Sequence, residues 1–177
     1  MHKLRDTPCE SEEDLRRCLE EIAGRGHVYV LGLGYLDKAD DGAGVLVAEA
    51  LKKLFPTYSF SEHDGVEGTV LDISEKDEDA TVFFVDAAAL KSEPGTIRVI
   101  MREEIQEREI TTHRVAVALL SSVLAKAGKR VAVIGIQPGT IEFRGEVSQP
   151  VAEAIAVVTG ALGSLMKLMN RFISIDQ

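Results

Sequence analysis

Three polar side chains stand at positions where an α/β protein could use them for chemistry. Asp41 follows the stretch GLGYLDKAD, Asp86 ends the apolar run VFFVD, and His113 precedes the apolar-periodic stretch RVAVALLSSVLAKAG. Two carboxylates and one imidazole are a plausible set of contacts for a divalent transition metal, with coordination positions left open. A helix start disfavours imidazolium, so His113 would stay neutral and able to donate a lone pair. If the three side chains converge, the sequence predicts a metal-contacting site.

Each of these residues also has a purely structural interpretation. Asp40 and Asp41 stand at the start of a predicted helix, where capping alone would favour acidic residues, and we expect Asp40 to be the cap. Backbone N–H groups of the next turn could hold Asp86, although an unpaired carboxylate after apolar residues is costly to bury. His113 alone would more often be an exposed helix residue. A shared site is favoured because one fold places all three residues on the same edge.

The hydrophobic pattern predicts strands and helices in alternation. Strands are expected at HVYVLGLG, TYSFS, ATVFFVDA, TIRVIM and RVAVIGI, with TIRVIM half-exposed near a sheet edge. Helices are expected at SEEDLRRCLEEIAG, AGVLVAEALKKLF, THRVAVALLSSVLAKAG and PVAEAIAVVTGALGSLMKLMNRF, and a short one in EGTVLDISEKDED. This alternation predicts a three-layer α/β/α sandwich, with helices on both faces of a mostly parallel, twisted sheet of about five strands. Ligands bind such sheets beyond the carboxyl ends of the strands, which is where the three polar residues are expected.

Length and charge narrow the possible functions. The chain has 177 residues, and we expect a helical extension over residues 1–26 and a single α/β domain over residues 27–177. A formal net charge of -9 argues against a nucleic-acid partner. No uninterrupted apolar run reaches the ~18 residues that a membrane helix needs, and the first residues lack the apolar core of a secretion signal. We therefore expect a cytoplasmic protein with no membrane segment.

The glycines of GLGYLDKADDG do not make a dinucleotide-binding loop. Such a loop needs a third glycine three residues after the second, and Asp37 occupies that position. Asp40 and Asp41 would also repel a pyrophosphate at the helix start. The GxSxG elbow of serine hydrolases is absent as well. Any chemistry is therefore expected to depend on a metal ion or a bound water.

The order and spacing of these motifs resemble the nickel-iron hydrogenase maturation endopeptidases from His27 to about Phe172. In that family an apolar strand and GxGN precede an acidic pair, a glycine and a helix, here GLGYLDKADDGAGVLVAEAL. The central strand ending in aspartate and alanine is VFFVDAA, the histidine segment is TTHRVAVALL, and GIQPGTIEFRGEVSQPV carries the glycine and serine before the last helix. The family's asparagine is Tyr35 here, which is a departure from the motif.

The resemblance implies an endopeptidase, of the aspartic type, that clips a C-terminal extension from a hydrogenase large-subunit precursor. Clipping follows nickel insertion, so the nickel is carried by the substrate, and the implied metal contacts are Asp41, Asp86 and His113. Asp41 or Asp64 is the candidate proton acceptor, and Asp64 in HDGVEGT matches the aspartate of a further family motif. Two alternatives stay open: a non-catalytic module that binds nickel or the precursor, and a small-molecule hydrolase on the same fold.

Overall fold

The computed structural model of the protein describes residues 8–105 and 114–175, without the side chains of residues 114, 115 and 175. In these ranges one sheet contains strands β1 (His27–Gly32), β2 (Ser59–Ser61), β3 (Ala80–Ala87), β4 (Ile97–Met101) and β5 (Arg130–Ile136), in the order β2-β1-β3-β5-β4. Strands β2, β1, β3 and β5 are parallel, and β4 pairs antiparallel with β5. The predicted mostly parallel sheet of five strands is confirmed.

Helices cover both faces of the sheet. Helices α1 (Glu12–Ala23), α2 (Ala43–Lys52) and α6 (Gln149–Ile175) pack on the first face, and α3 (Val66–Glu75), α4 (Arg102–Ile105) and α5 (Arg114–Lys126) pack on the second. Successive strand side chains point to opposite faces. In β3, Phe83 and Val85 accordingly lie in the first core, and Val82 and Phe84 lie in the second. The predicted three-layer sandwich follows from these two cores.

Helix α1 shares the first core with the rest of the domain. Its cap is Ser11, as predicted, whose hydroxyl oxygen accepts a hydrogen bond from the Asp14 N–H at 3.1 Å. Leu15 and Leu19 are fully buried in the first core, and the helix packs against α6. The first helix is therefore part of a layer of the sandwich, while the predicted domain boundary after residues 1–26 stays a prediction.

Strand β4 lies at the edge of the sheet, as predicted, but it is covered more than the half-exposed strand that its pattern indicates. Ile97 and Val99 are buried in the first core, and Ile100 is buried in the second. The reason is that helices reach both faces of the sheet at this edge, so side chains of both orientations are shielded from water.

Helix α6 is the one helix in the described ranges that is long and apolar enough to cross a membrane, over Gln149–Ser174 with a mean hydropathy of 1.5. A core helix of a globular domain can have the same composition. Its apolar side packs against α1, α2 and β1 and buries Val151, Val158, Leu162 and Leu165. In this fold α6 is a core helix of the first layer.

Candidate active site at the carboxyl edge of the sheet

The candidate site lies where the carboxyl ends of β1 and β3 adjoin. The chain leaves β1 for β2 on one side and returns to β3 on the other, so this is the point at which the strand order reverses. Open α/β sheets bind ligands in the crevice at such switch points. Asp86 is near the end of β3, and Asp41 lies in the 3-10 helix Ala39–Gly42 between β1 and α2. The fold therefore brings both predicted carboxylates to one edge.

Glycines allow the backbone of this edge to pack without side chains between its parts. A Cβ atom on Gly44 would stand 2.0 Å from the Val85 carbonyl oxygen and 2.4 Å from the Leu33 carbonyl oxygen. The Leu33 N–H also donates to the Val85 carbonyl at 2.9 Å, which joins the ends of β1 and β3. Gly34 has a φ of +127°, and its Cβ would stand 1.8 Å from the Asp41 carbonyl oxygen. Because these backbones lie so close together, Asp41 and the start of α2 pack directly against the ends of β1 and β3.

Asp41 is a buried carboxylate tied to the loop after β1. Its side chain is 3% exposed, and Oδ2 accepts a hydrogen bond from the Tyr35 N–H at 3.1 Å. Because the backbone makes this bond, any residue other than proline could supply it at position 35. The Tyr35 ring is half exposed, with the Lys38 ammonium 4.9 Å from its centroid. Replacing the family's asparagine with tyrosine therefore leaves a backbone link to Asp41 and adds an exposed aromatic surface.

Asp86 is fully buried near the end of β3. Phe84, two residues earlier, lies in the second core, so strand alternation places Asp86 on the face that α3 and α5 cover. Helix α5 reaches the amino end of β5 through a short turn, so its N-terminus is directed toward the carboxyl edge. His113 immediately precedes α5 in the chain. The direction of α5 and the orientation of Asp86 are thus compatible with the prediction that Asp86 and His113 share one site.

His113 itself lies outside the described residues, so its contact with Asp41 and Asp86 stays a prediction. Among the residues that the structure describes, no group of three His, Cys, Asp or Glu side chains could hold a metal ion. The described part of the site thus contains Asp41 and Asp86, which are oxygen donors, and a divalent cation there would need further donors.

Asp64 follows β2 at the same edge, in the 3-10 helix Glu62–Asp64. Its Oδ2 accepts from the Ser61 N–H at 2.8 Å, and its Oδ1 accepts from the Lys52 ammonium at 2.5 Å. Burial acts to raise the pKa of this carboxyl, but the bonds from Lys52 and Ser61 outweigh burial and hold the pKa below its ordinary value. A carboxylate stabilised as the anion is a weaker proton acceptor.

Asp40 does not cap helix α2, so that expectation was wrong. A 3-10 helix precedes α2, and no side chain caps the start of either helix. The Asp40 carboxylate instead binds the loop formed by residues 137–148. Its Oδ2 accepts from the N–H groups of Gly139 at 2.7 Å and Thr140 at 3.0 Å and from the Ser148 hydroxyl at 2.8 Å, and its Oδ1 accepts from the Ser148 N–H at 2.7 Å.

The environment of Asp40 keeps this carboxyl ionised. Burial acts to raise its pKa, but the bonds from Ser148, Thr140 and Gly139 outweigh burial and lower it. The glycine and serine before the last predicted helix were the sequence signal for this contact. Their local pattern, however, does not indicate that Asp40 is the partner. Asp40 is therefore a structural residue that joins two loops at the edge of the site.

Comparison with known proteins places the chain in a family. The sequence profile of HycI, a hydrogenase maturation protease, matches residues 47–163, a stretch that begins shortly after Asp41 and includes Asp64, Asp86 and His113. The hydrogenase 3 maturation protease of Escherichia coli K12 is 31% identical over 132 residues, which cover 73% of this chain and 84% of that protein. A putative hydrogenase maturation protease of Methanocaldococcus jannaschii is 24% identical over 137 residues, covering 71% of this chain and 80% of its own.

Solved structures share the fold. The crystal structure of the NiFe hydrogenase maturation protease HycI from Thermococcus kodakarensis KOD1 has a TM-score of 0.68 at 26% identity and covers 85% of this chain and 99% of its own. The solution structure of the endopeptidase HycI from Escherichia coli has a TM-score of 0.63 at 26% identity and covers 78% and 90%. The fold and its matches thus define a protein of the endopeptidase class. The chain belongs to the hydrogenase maturation protease family, which confirms the resemblance seen in its sequence.

Proposed function

We propose that the protein is an endopeptidase that removes the C-terminal extension of a nickel-iron hydrogenase large-subunit precursor after nickel insertion. Membership of the maturation protease family supports this class of substrate. The observation that carries the proposal for the site is the burial of Asp41 and Asp86 at the switch point between β1 and β3. We also propose that the protein acts in the cytoplasm.

Nickel enters this proposal as part of the substrate. The precursor holds the ion, and Asp41, Asp86 and His113 contact it when the precursor docks. Carboxylate and imidazole donors are compatible with Ni²⁺, and the ion binds the ionised carboxylate and the neutral imidazole. A precursor without nickel lacks the contact that would seat its tail at the edge of the sheet. The ion is therefore the mark by which the enzyme distinguishes a loaded precursor from an empty one.

Hydrolysis requires a group that accepts a proton from the attacking water. The water oxygen bonds to the scissile carbonyl carbon while a carboxylate takes one of its protons, and the leaving amine takes up a proton as the C–N bond breaks. We assign the acceptor role to Asp41, because it lies beside the switch point of the sheet, whereas both oxygens of the Asp64 carboxylate already accept from Lys52 and Ser61. Asp64 would then support the turn after β2. A divalent cation beside the water would lower the pKa of that water to about 7.

Incubation of the purified protein with nickel-loaded and nickel-free precursor tests the proposal. We expect the tail to be lost from the loaded precursor alone. Equal cleavage of both precursors would contradict recognition through nickel. Binding of the loaded precursor without cleavage would instead identify a non-catalytic binding module. Hydrolysis of small esters or amides, with the precursor left intact, would identify a small-molecule hydrolase.

A further inference from the structure

Four large apolar side chains are exposed on two loops beside the site. Tyr35 and Leu36, between β1 and the 3-10 helix, are 50% and 44% exposed, and Ile141 and Phe143, between β5 and α6, are 55% and 66% exposed. They are four of the eight large hydrophobic side chains exposed in the described ranges, and the others are spread over the end of α2, α3, α5 and α6. We call these four residues the rim patch. Clustered exposed apolar side chains commonly mark interaction sites.

Hydrogen bonds hold the two loops of the rim patch together. The Arg144 N–H donates to the Asp37 carbonyl at 2.6 Å, and the Asp40 N–H donates to the Thr140 carbonyl at 3.1 Å. The four bonds to the Asp40 carboxylate add to this connection. The backbones of the two loops that carry the rim patch are therefore fixed to each other, which lowers the entropy that is lost on docking.

Cations lie over both aromatic rings of the rim patch. The Lys38 ammonium is 4.9 Å from the centroid of the Tyr35 ring, and the Arg144 guanidinium carbon is 5.3 Å from that of the Phe143 ring. Aromatic side chains and arginine are enriched among the residues that dominate protein interfaces. Three exposed carboxylates on the same loops, those of Asp37, Glu142 and Glu146, outnumber these two cations. The four exposed apolar side chains therefore distinguish this surface more than its net charge of about one does.

We propose that the rim patch docks an apolar stretch of the precursor polypeptide next to the scissile bond. This inference rests on the proposed function, because it takes Asp41 as the place of cleavage. The rim patch is continuous with that place, since the Tyr35 N–H donates to the Asp41 carboxylate at 3.1 Å. A chain whose scissile bond lies at Asp41 passes the bordering loops within a few residues. Bulky aliphatic or aromatic side chains there pack on the rim patch, and Tyr35 contributes to the choice of precursor.

Two variants each remove part of the rim patch and leave the carboxylates of the site in place. The first is the double variant Ile141→Ser with Phe143→Ser, and the second is Tyr35→Ser, which keeps the backbone N–H that binds Asp41. The matched control is Leu54→Ser, because Leu54 is 65% exposed but follows the C-terminal end of α2, remote from the site. For each protein, KM and kcat are measured with nickel-loaded precursor, and Kd is measured by calorimetry.

The expected result is a rise in KM and Kd of about tenfold or more in the rim-patch variants, with kcat within about twofold of wild type and no change in the control. Wild-type KM and Kd in the rim-patch variants, with the tail removed normally, would overturn the docking proposal alone. A wild-type protein that binds the precursor through the rim patch but leaves its tail intact would overturn the protease function, and with it the placement beside a scissile bond, while the rim patch would remain a precursor-binding surface. A wild-type protein that neither binds nor cleaves would overturn both.

Discussion

The carboxylate of Asp40 accepts hydrogen bonds from both the backbone N–H and the hydroxyl of Ser148, 108 residues further along the chain, at 2.7 and 2.8 Å. This contact joins the loop before α2 to the loop before α6. The neighbouring residue, Asp41, belongs to the candidate site. The two adjacent aspartates thus have different partners, since Asp40 joins the two loops and Asp41 accepts a hydrogen bond from the Tyr35 N–H.

Replacing Asp40 should destabilise the protein strongly. Asp40→Ala removes four hydrogen bonds and leaves the partly buried N–H groups of the facing loop without their acceptor, so the free energy of unfolding should fall by about 3 kcal/mol or more. Ser148→Ala removes only the hydroxyl bond and should cost about 1 kcal/mol. Urea denaturation measures both values. Similar losses in the two variants would contradict the role assigned to the Asp40 carboxylate.

Two helical glycines should respond to alanine in opposite ways. Alanine normally stabilises a helix relative to glycine by about 1 kcal/mol. At Gly68 in α3 a Cβ meets nothing within 4 Å, so Gly68→Ala should be neutral or stabilising. At Gly44 the Cβ would stand 2.0 Å from the Val85 carbonyl, so Gly44→Ala should destabilise the protein and displace the start of α2. Thermal denaturation distinguishes these outcomes, and an unchanged Tm in Gly44→Ala would show that α2 does not pack as described.

The ion pair of Asp64 with Lys52 should make stability depend on pH in the acidic range. The pKa of Asp64 is lower in the folded chain than in the unfolded one, where it is about 3.9. The unfolded chain therefore binds more protons, and this stabilisation is complete above about pH 5 and is lost as the pH falls through the folded pKa. Asp64→Asn keeps an acceptor for the Ser61 N–H but loses the ion pair, which should cost about 0.5 kcal/mol at neutral pH.

The Asp64 prediction is checked by urea denaturation of the wild type and Asp64→Asn between pH 7 and pH 3. The difference between the two proteins should shrink toward the acidic end. In a Lys52→Gln background, the same substitution should cost less at neutral pH, because the partner is gone. A difference that stays constant over the whole pH range would show that the ion pair does not stabilise the fold.

Much of the fold could be predicted because the spacing of apolar residues along the chain reflects which side chains of each strand or helix are buried. Strand β3 is buried along its whole length, and its run of apolar residues followed by Asp86 indicated both the strand and a polar group at its end. The alternation of strands and helices then implied a sheet covered on both faces. The same reasoning placed Asp41 after β1 and Asp86 near the end of β3, where the structure has them, while their role in a site stays a prediction.

Long-range contacts could not be predicted in the same way. Asp40 contacts Gly139, Thr140 and Ser148, which lie about a hundred residues further along the chain. The sequence of neither segment indicates that the two are in contact. Asp40 lies within the 3-10 helix Ala39–Gly42 and not at the start of an α-helix. The capping rule for α-helices therefore did not apply to it. Nor did the alternating pattern of β4 show that helices cover both of its faces.

The proposed function requires Asp86 and Asp41 to belong to the machinery that processes the precursor. The most direct test is intact-mass spectrometry of nickel-loaded precursor after incubation with wild type, Asp86→Asn or Asp41→Asn, with circular dichroism to show that each variant is folded. His113→Ala extends the test to the predicted third contact, and Leu54→Ser is the control. Wild type and control should remove the tail, and the three site variants should leave the precursor at its full mass, with rates lower by about a hundredfold or more. Complete processing by folded Asp86→Asn and Asp41→Asn would show that neither carboxylate takes part in processing.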